Sequence, residues 1–237
     1  VNVGEIFQKG GPVILLLLLL SILALSVIIE RLWFWWGVLT KEREVVNRVL
    51  DAARRDWIAA TEIARQAYDQ PIGRFLYSPL QLKNPDPETF RLALEASAED
   101  ELAAMRRGDK ILEAVIALAP LLGLLGTVIG LIITLQSIRL GDTNNSSTAG
   151  VAQGIGEALI NTGGGLAVAI FSLAFYRLFQ GFLFYQAKVF RKSGNDLELL
   201  YRQSWSHQDG TSSFKGDDVV PQAVVETAEQ PSSGSEY

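Results

Sequence analysis

Hydrophobic and polar positions fall along this chain in long blocks rather than in a fine alternation. From Pro12 to Ile29 eighteen residues pass without a charge, and Leu15 to Leu20 are six consecutive leucines. Crossing ~30 Å of hydrocarbon takes about 20 helical residues, so this block predicts a first membrane-spanning helix. Glu30 and Arg31 end it, and Trp33, Phe34, Trp35 and Trp36 follow. Such an aromatic cluster suits the headgroup level, which sets the span and its belt at 12–36. A second block runs from Ile111 to Leu135, interrupted by Glu113. A third begins near Val151 and reaches Phe184, interrupted by Glu157 and Arg177, and is longer than one crossing needs. Reading the first block as a cleaved signal peptide, with Ala24 and Ser26 as a weak cleavage site, is disfavoured: Val27, Ile28 and Ile29 continue the apolar run.

Between the first two blocks the pattern is that of amphipathic helix. Asp56 before Trp57 reads as an N-cap, and Pro71 as the end of that helix. Asp86, Pro87 and Glu88 mark a second start, with proline at the first helical position. Apart from Gly108 no breaker follows until Pro120, so this helix is expected to run unbroken into the second span. No stretch alternates at period two, and no strand is expected. The expected fold is an all-α integral membrane protein with three transmembrane helices, the second and third extending into a helical cytoplasmic region. Its segments are an external arm at 1–11, the cytoplasmic region at 37–110, an external loop at 136–150, a cytoplasmic helix at 185–205 and a disordered acidic tail at 206–237.

Charge adds orientation. Of 21 Lys and Arg, 13 lie in residues 31–110 and 6 from Arg177 onward, leaving Lys9 and Arg139 on the other side. The positive-inside rule then puts the N-terminus outside and the C-terminus in the cytoplasm. Composition mainly excludes. Hydrophobic residues make up 49% of the 237 and charged residues 20%, so a soluble enzyme is disfavoured. The absence of cysteine removes disulfides, thiolate metal sites and cysteine nucleophiles, and one histidine, His207, leaves no multi-histidine metal site. No cofactor is expected. A net charge of −5 without a basic block argues against a nucleic-acid partner.

The polar residues inside the apolar blocks carry the chemistry. A carboxylate in a membrane costs about 2.5–3.5 kcal/mol at mid-bilayer and less toward the interfaces, so Glu157 is not expected to face lipid. At ~100° per residue, Gln153, Asn161, Gly164, Val168 and Ser172 fall within about 60° of it, and Thr162 lies beside that stripe. The second block has a matching stripe of Pro120, Gly123, Thr127, Gly130 and Thr134. Each feature also has a plainer reading. The glycines allow helices to approach closely, through Gly126 and Gly130 in particular. The threonine hydroxyls can bond back to their own helix. Glu157 can reach the outer headgroups, while Glu113 and Arg177 can snorkel on the cytoplasmic side.

Two runs carry a family resemblance. Ala119-Pro-Leu-Leu-Gly-Leu-Leu-Gly-Thr-Val-Ile-Gly130 and Gly154-Ile-Gly-Glu-Ala-Leu-Ile-Asn-Thr-Gly-Gly-Gly-Leu-Ala-Val-Ala-Ile170 resemble the MotA/TolQ/ExbB proton-channel family, the ExbB branch most. The resemblance covers about residues 1–205. It implies that Glu157, Thr127 and Thr162 line a proton pathway, with Asn161 and Thr134 as further pore-facing candidates. It also implies a homo-oligomer, a pentamer, in the bacterial inner membrane. The implied partners are an ExbD-like single-span protein inside the pore, which supplies the proton-carrying aspartate, and a TonB-like protein, which opens outer-membrane transporters. Five copies of Glu157 near one axis would favour shared protons. Phe171 stands where relatives usually have proline, so a kink expected there is in question. Asn161 and Gly164 replace small apolar residues. A TolQ-like role in envelope integrity and a non-conducting membrane scaffold are the competing readings; MotA, with four spans, fits less well.

Overall fold

The computed structural model describes residues 11–137 and 145–213, and six helices account for nearly all of them. Helix α1 spans Gly11–Ala53, α2 Trp57–Gln66, α3 Pro71–Leu80, α4 Pro87–Met105, α5 Asp109–Ser137 and α6 Asn145–Ser213. Among the described residues there is no strand, and three helices are long and apolar enough to cross a membrane. The chain is an all-α membrane protein.

Helix α1 turns one stripe inward: Leu17, Ala24, Arg31 and Val38 are buried at steps of seven, as are Ile28, Trp35, Glu42 and Val49, with Val13 and Ala53 buried toward its ends. Sevenfold steps keep a straight seam along a long helix. Two charges, Arg31 and Glu42, occupy positions on that stripe and are as buried as the apolar ones, at 4% and 2% exposure. The opposite face, with Leu15, Leu16, Leu19 and Ile22, is bare, as a lipid-facing surface must be. Helices α5 and α6 expose similar faces, including Leu121, Ile133, Leu159 and Ile170.

The polar end is a water-type bundle. Short helices α2, α3 and α4 pack between the extensions of α1 and α6, around Trp35, Phe75, Leu76, Phe90, Leu112, Phe190 and Leu197. Phe75 stacks on Phe190 with centroids 4.7 Å apart, and Phe90 stacks on Tyr201 at 4.1 Å. Burying each large side chain contributes about 1.5–3 kcal/mol. Arg74 of α3 and Glu101 of α4 close a two-pronged ion pair at 2.7 and 2.6 Å.

Helix boundaries follow local chemistry, with two departures from expectation. Asp56 caps α2, accepting from the Ile58 N–H at 2.8 Å, and Asp86 caps α4 through the Glu88 and Thr89 N–H groups. Helix α2 ends at Gln66 before any proline, and Pro71 instead opens α3. Proline suits a first turn because its missing N–H would have no intrahelical partner there. The helix expected to run unbroken from Pro87 stops at Met105. Arg106, Arg107 and Gly108 make a turn, with Gly108 at φ +91°, and α5 starts afresh. Glycine enters this left-handed region without steric penalty. Arg31 holds the break by donating from Nη1 to the Met105 carbonyl, 3.3 Å away.

At 1.5 Å per residue the 69 residues of α6 extend about 100 Å. Helix α6 passes through Phe171 as continuous α-helix. It continues to Ser213; residues 214–237 of the expected acidic tail, the expected arm before Gly11 and residues 138–144 of the external loop lie outside the described residues.

Candidate functional site

Helices α5 and α6 form an antiparallel hairpin, the most extensive helix pair in the protein. Its seam is built from small residues at steps of three and four. On α5 these are Ala119, Gly123, Gly126, Gly130 and Thr134; opposite them on α6 are Gly165, Asn161, Ala158 and Gly154. Backbones approach so closely that a Cβ on Gly165 would stand 2.5 Å from the Ala119 carbonyl oxygen. One on Gly123 would stand 2.9 Å from the Asn161 carbonyl oxygen. In lipid, where apolar burial gives no net drive, such contact is what joins helices.

The two further pore-facing candidates, Asn161 and Thr134, lie in this seam. Asn161 is buried with its Cβ and Nδ2 over Gly126, and its Oδ1 has no hydrogen-bond partner among the described residues. Thr134 is buried against Gly154 and donates to the Gly130 carbonyl of its own helix at 2.7 Å. The wheel position of a small or polar residue does not distinguish a helix seam from a pore.

Thr127 and Thr162 sit one step round from the seam and are half-buried. Thr127 donates to the Leu124 carbonyl one turn back, at 2.7 Å. Thr162 reaches across and donates to the Gly123 carbonyl of α5 at 3.1 Å. Each hydroxyl keeps its lone pairs for a further donor. Glu157 belongs to α6, next to Ala158, which meets Gly130; its own side chain and that of Gln153 lie outside the described residues. The outer face of α6 is open at Gly156, Gly163 and Gly164, where an added Cβ would meet nothing within 4 Å.

Sequence reading missed polar pairs at the other end of the hairpin. Gln180 Nε2 of α6 donates to Asp109 Oδ2 of α5 at 2.7 Å. One turn along, the Tyr176 hydroxyl donates to Glu113 Oε1 at 2.5 Å. Periodicity was the available signal, because Asp109 and Thr127 are eighteen residues apart, five turns of 3.6. Among the described residues no group of three or more His, Asp and Glu is placed to hold a metal.

The chain is similar in sequence to known proteins. A putative biopolymer transport protein, ExbB-like 1, from Synechocystis sp. is 54% identical over 200 residues, covering 84% of this chain and 79% of the relative. ExbB-like 3 of the same organism is 37% identical over 83% of this chain and 93% of the relative. The biopolymer transport protein ExbB of Neisseria meningitidis is 28% identical over 71% and 83%. Residues 67–192, which hold α3, α4, α5 and most of the apolar part of α6, match the family's own pattern, and the chain belongs to the MotA/TolQ/ExbB proton channel family.

Proposed function

We propose that this chain is the ExbB-like subunit of a proton channel in the bacterial inner membrane. In this reading it assembles as a homo-pentamer, with α5 and α6 around the pore and an ExbD-like single-span partner inside. Proton flow would then be converted into mechanical work on a TonB-like protein that energises outer-membrane uptake. Its N-terminus lies outside and the α2–α4 bundle in the cytoplasm, as the lysine and arginine distribution favours.

The observation that carries the reading is the hairpin seam. Small residues lock α5 to α6 and leave two hydroxyls, Thr127 and Thr162, half-buried at its edge. Hydroxyls can donate and accept, so they can hold water or pass a proton. Glu157 belongs to the same apolar helix, where a carboxylate facing lipid is costly. Asn161, one turn further, offers a buried carbonyl oxygen with no partner among the described residues.

The test is uptake driven by proton-motive force in cells carrying a variant as the sole copy. Glu157→Gln keeps shape and hydrogen bonding but cannot titrate, and is expected to abolish uptake with assembly intact. Thr127→Val and Thr162→Val, near-isosteric changes, are expected to reduce uptake strongly while changing the detergent stability of the purified complex little. Normal uptake in Glu157→Gln would refute the channel reading and favour a passive scaffold.

A further inference from the structure

We infer that Asp109 and Glu113, held by Gln180 and Tyr176, are the proton-accepting groups at the cytoplasmic end of the face that carries Thr127 and Thr162. The inference rests on the channel reading above and adds residues to it.

Register is the first support. Asp109 precedes Thr127 by eighteen residues and Gln180 follows Thr162 by eighteen, so each pair shares one angular position on its helix, about 27 Å apart. Glu113 and Tyr176 lie one turn nearer the hydroxyls than Asp109 and Gln180. The two helix faces meet at both levels: Thr162 donates to the Gly123 carbonyl at one, and Gln180 to Asp109 at the other. One face of the hairpin therefore has hydroxyls at its outer level and carboxyls at its inner level, with the apolar body of α5 between.

Exposure is the second. Glu113 is exposed in the protomer although it stands at the head of an apolar helix, beside Ile111, Leu118 and Leu121. A carboxylate there needs a wet or polar neighbour.

The third is a buried donor at the same level. Arg31 of α1 packs on the turn that opens α5, its Cδ 3.6 Å from where a Cβ on Gly108 would stand. It is 4% exposed, its Nε has no hydrogen-bond partner among the described residues, and its charge acts on Asp109. Buried N–H groups in proteins are satisfied, by water where protein offers nothing, so this corner is suited to hold water.

The chemistry balances without a co-reactant. A proton arriving along the face bonds to a carboxylate oxygen, and the same O–H bond breaks when cytoplasmic water accepts it. Gln180 engages Oδ2 of Asp109, and among the described residues no hydrogen bond engages Oδ1, which leaves it for the incoming proton. The charged and titratable groups around Asp109 are Arg31 of α1, Arg106 of the turn, Glu113 of α5 and Tyr176 of α6, with Arg177 beside Tyr176.

Proton flux into membrane vesicles, read by a trapped pH dye, tests this, with the chain's own contribution taken as the flux lost in Glu157→Gln. Asp109→Asn with Glu113→Gln keeps oxygen acceptors for Gln180 and Tyr176 but removes both titrating groups. It is expected to cut that flux on the order of a hundredfold, the size of a positioned acid–base contribution. In the unmodified chain flux should fall as the cytoplasmic side is acidified through the carboxylate range. In the exposed single variant Glu113→Gln, which disturbs no core packing, that midpoint should move. Flux and cytoplasmic-side pH dependence unchanged in both variants, with Glu157→Gln still inactive, would overturn the outlet and leave the channel standing. Absence of any Glu157-dependent flux would overturn both.

Discussion

The α5–α6 seam and the α2–α4 bundle are both close-packed, yet they use opposite materials. In the seam, glycine, alanine and asparagine bring backbones into contact, while leucines and isoleucines face outward. In the bundle, Phe75, Phe90, Phe190 and Trp35 point inward, and charged side chains such as Arg65, Arg91 and Glu95 lie outside. The difference is that of two solvents. Water rewards removal of large apolar surface, at about 25 cal/mol per Å². Hydrocarbon gives no such reward, so contact distance and polar satisfaction decide instead.

Substitutions of opposite kind should therefore damage the two regions. Phe75→Ala empties a site between α3 and α6 where the ring stacks on Phe190 and is 1% exposed. A loss of about 3–5 kcal/mol in unfolding free energy is expected in detergent. Gly165→Val adds volume where a Cβ would meet the Ala119 carbonyl oxygen, and overpacking of this kind costs about 1–3 kcal/mol. The truncation should loosen the bundle and leave the hairpin closed; the enlargement should do the reverse. Limited proteolysis of α2–α4 beside a cysteine-crosslink assay between α5 and α6 separates the two. Equal damage to both regions by either variant would mean that they are one cooperative unit.

The same contrast explains what the sequence made legible. Three spans were visible because long uncharged apolar runs have few other uses, and the cap at Asp86 because its side chain acts on its own next residues. The break at Gly108 was not. A lone glycine in a helical pattern is usually absorbed at a cost of ~1 kcal/mol, and here contacts from another helix, Val27 and Arg31 of α1, accompany the turn. Asn161 and Thr134 could be placed on a small, polar stripe, but seam and pore demand the same residue types. Arg31 and Glu42 stayed hidden for a different reason: charges at interior positions of a sevenfold stripe read as surface until their contacts with other helices, at the Met105 carbonyl and Gln186, are known, although Arg31 also pairs with its neighbour Glu30 at 2.7 Å.

Glu42 gives the smallest effect and the finest test of the contrast. In the polar-end bundle, Gln186 of α6 donates from Nε2 to Glu42 Oε2 of α1, and both side chains are fully buried. The remaining oxygens, Glu42 Oε1 and Gln186 Oε1, have no hydrogen-bond partner among the described residues. Arg43 beside it is exposed and directed to the Tyr185 hydroxyl at 3.5 Å, so it does not pair with the carboxyl. Glu42→Gln replaces one of those oxygens by an NH2 group. The new amide can still accept from Gln186 Nε2 and can now donate to Gln186 Oε1, which converts two unsatisfied acceptors into one bond and removes a charge from the interior. Stability should rise by about 1 kcal/mol, the net worth of a buried hydrogen bond. Asn161→Ala in the hydrocarbon seam is the matching variant, since it deletes an unpartnered oxygen without adding a bond. Thermal unfolding of both in one detergent makes the measurement. A fall in stability for Glu42→Gln would show that the negative charge itself holds α1 to α6, and the polar-end bundle would then depend on electrostatics as well as on its aromatic core.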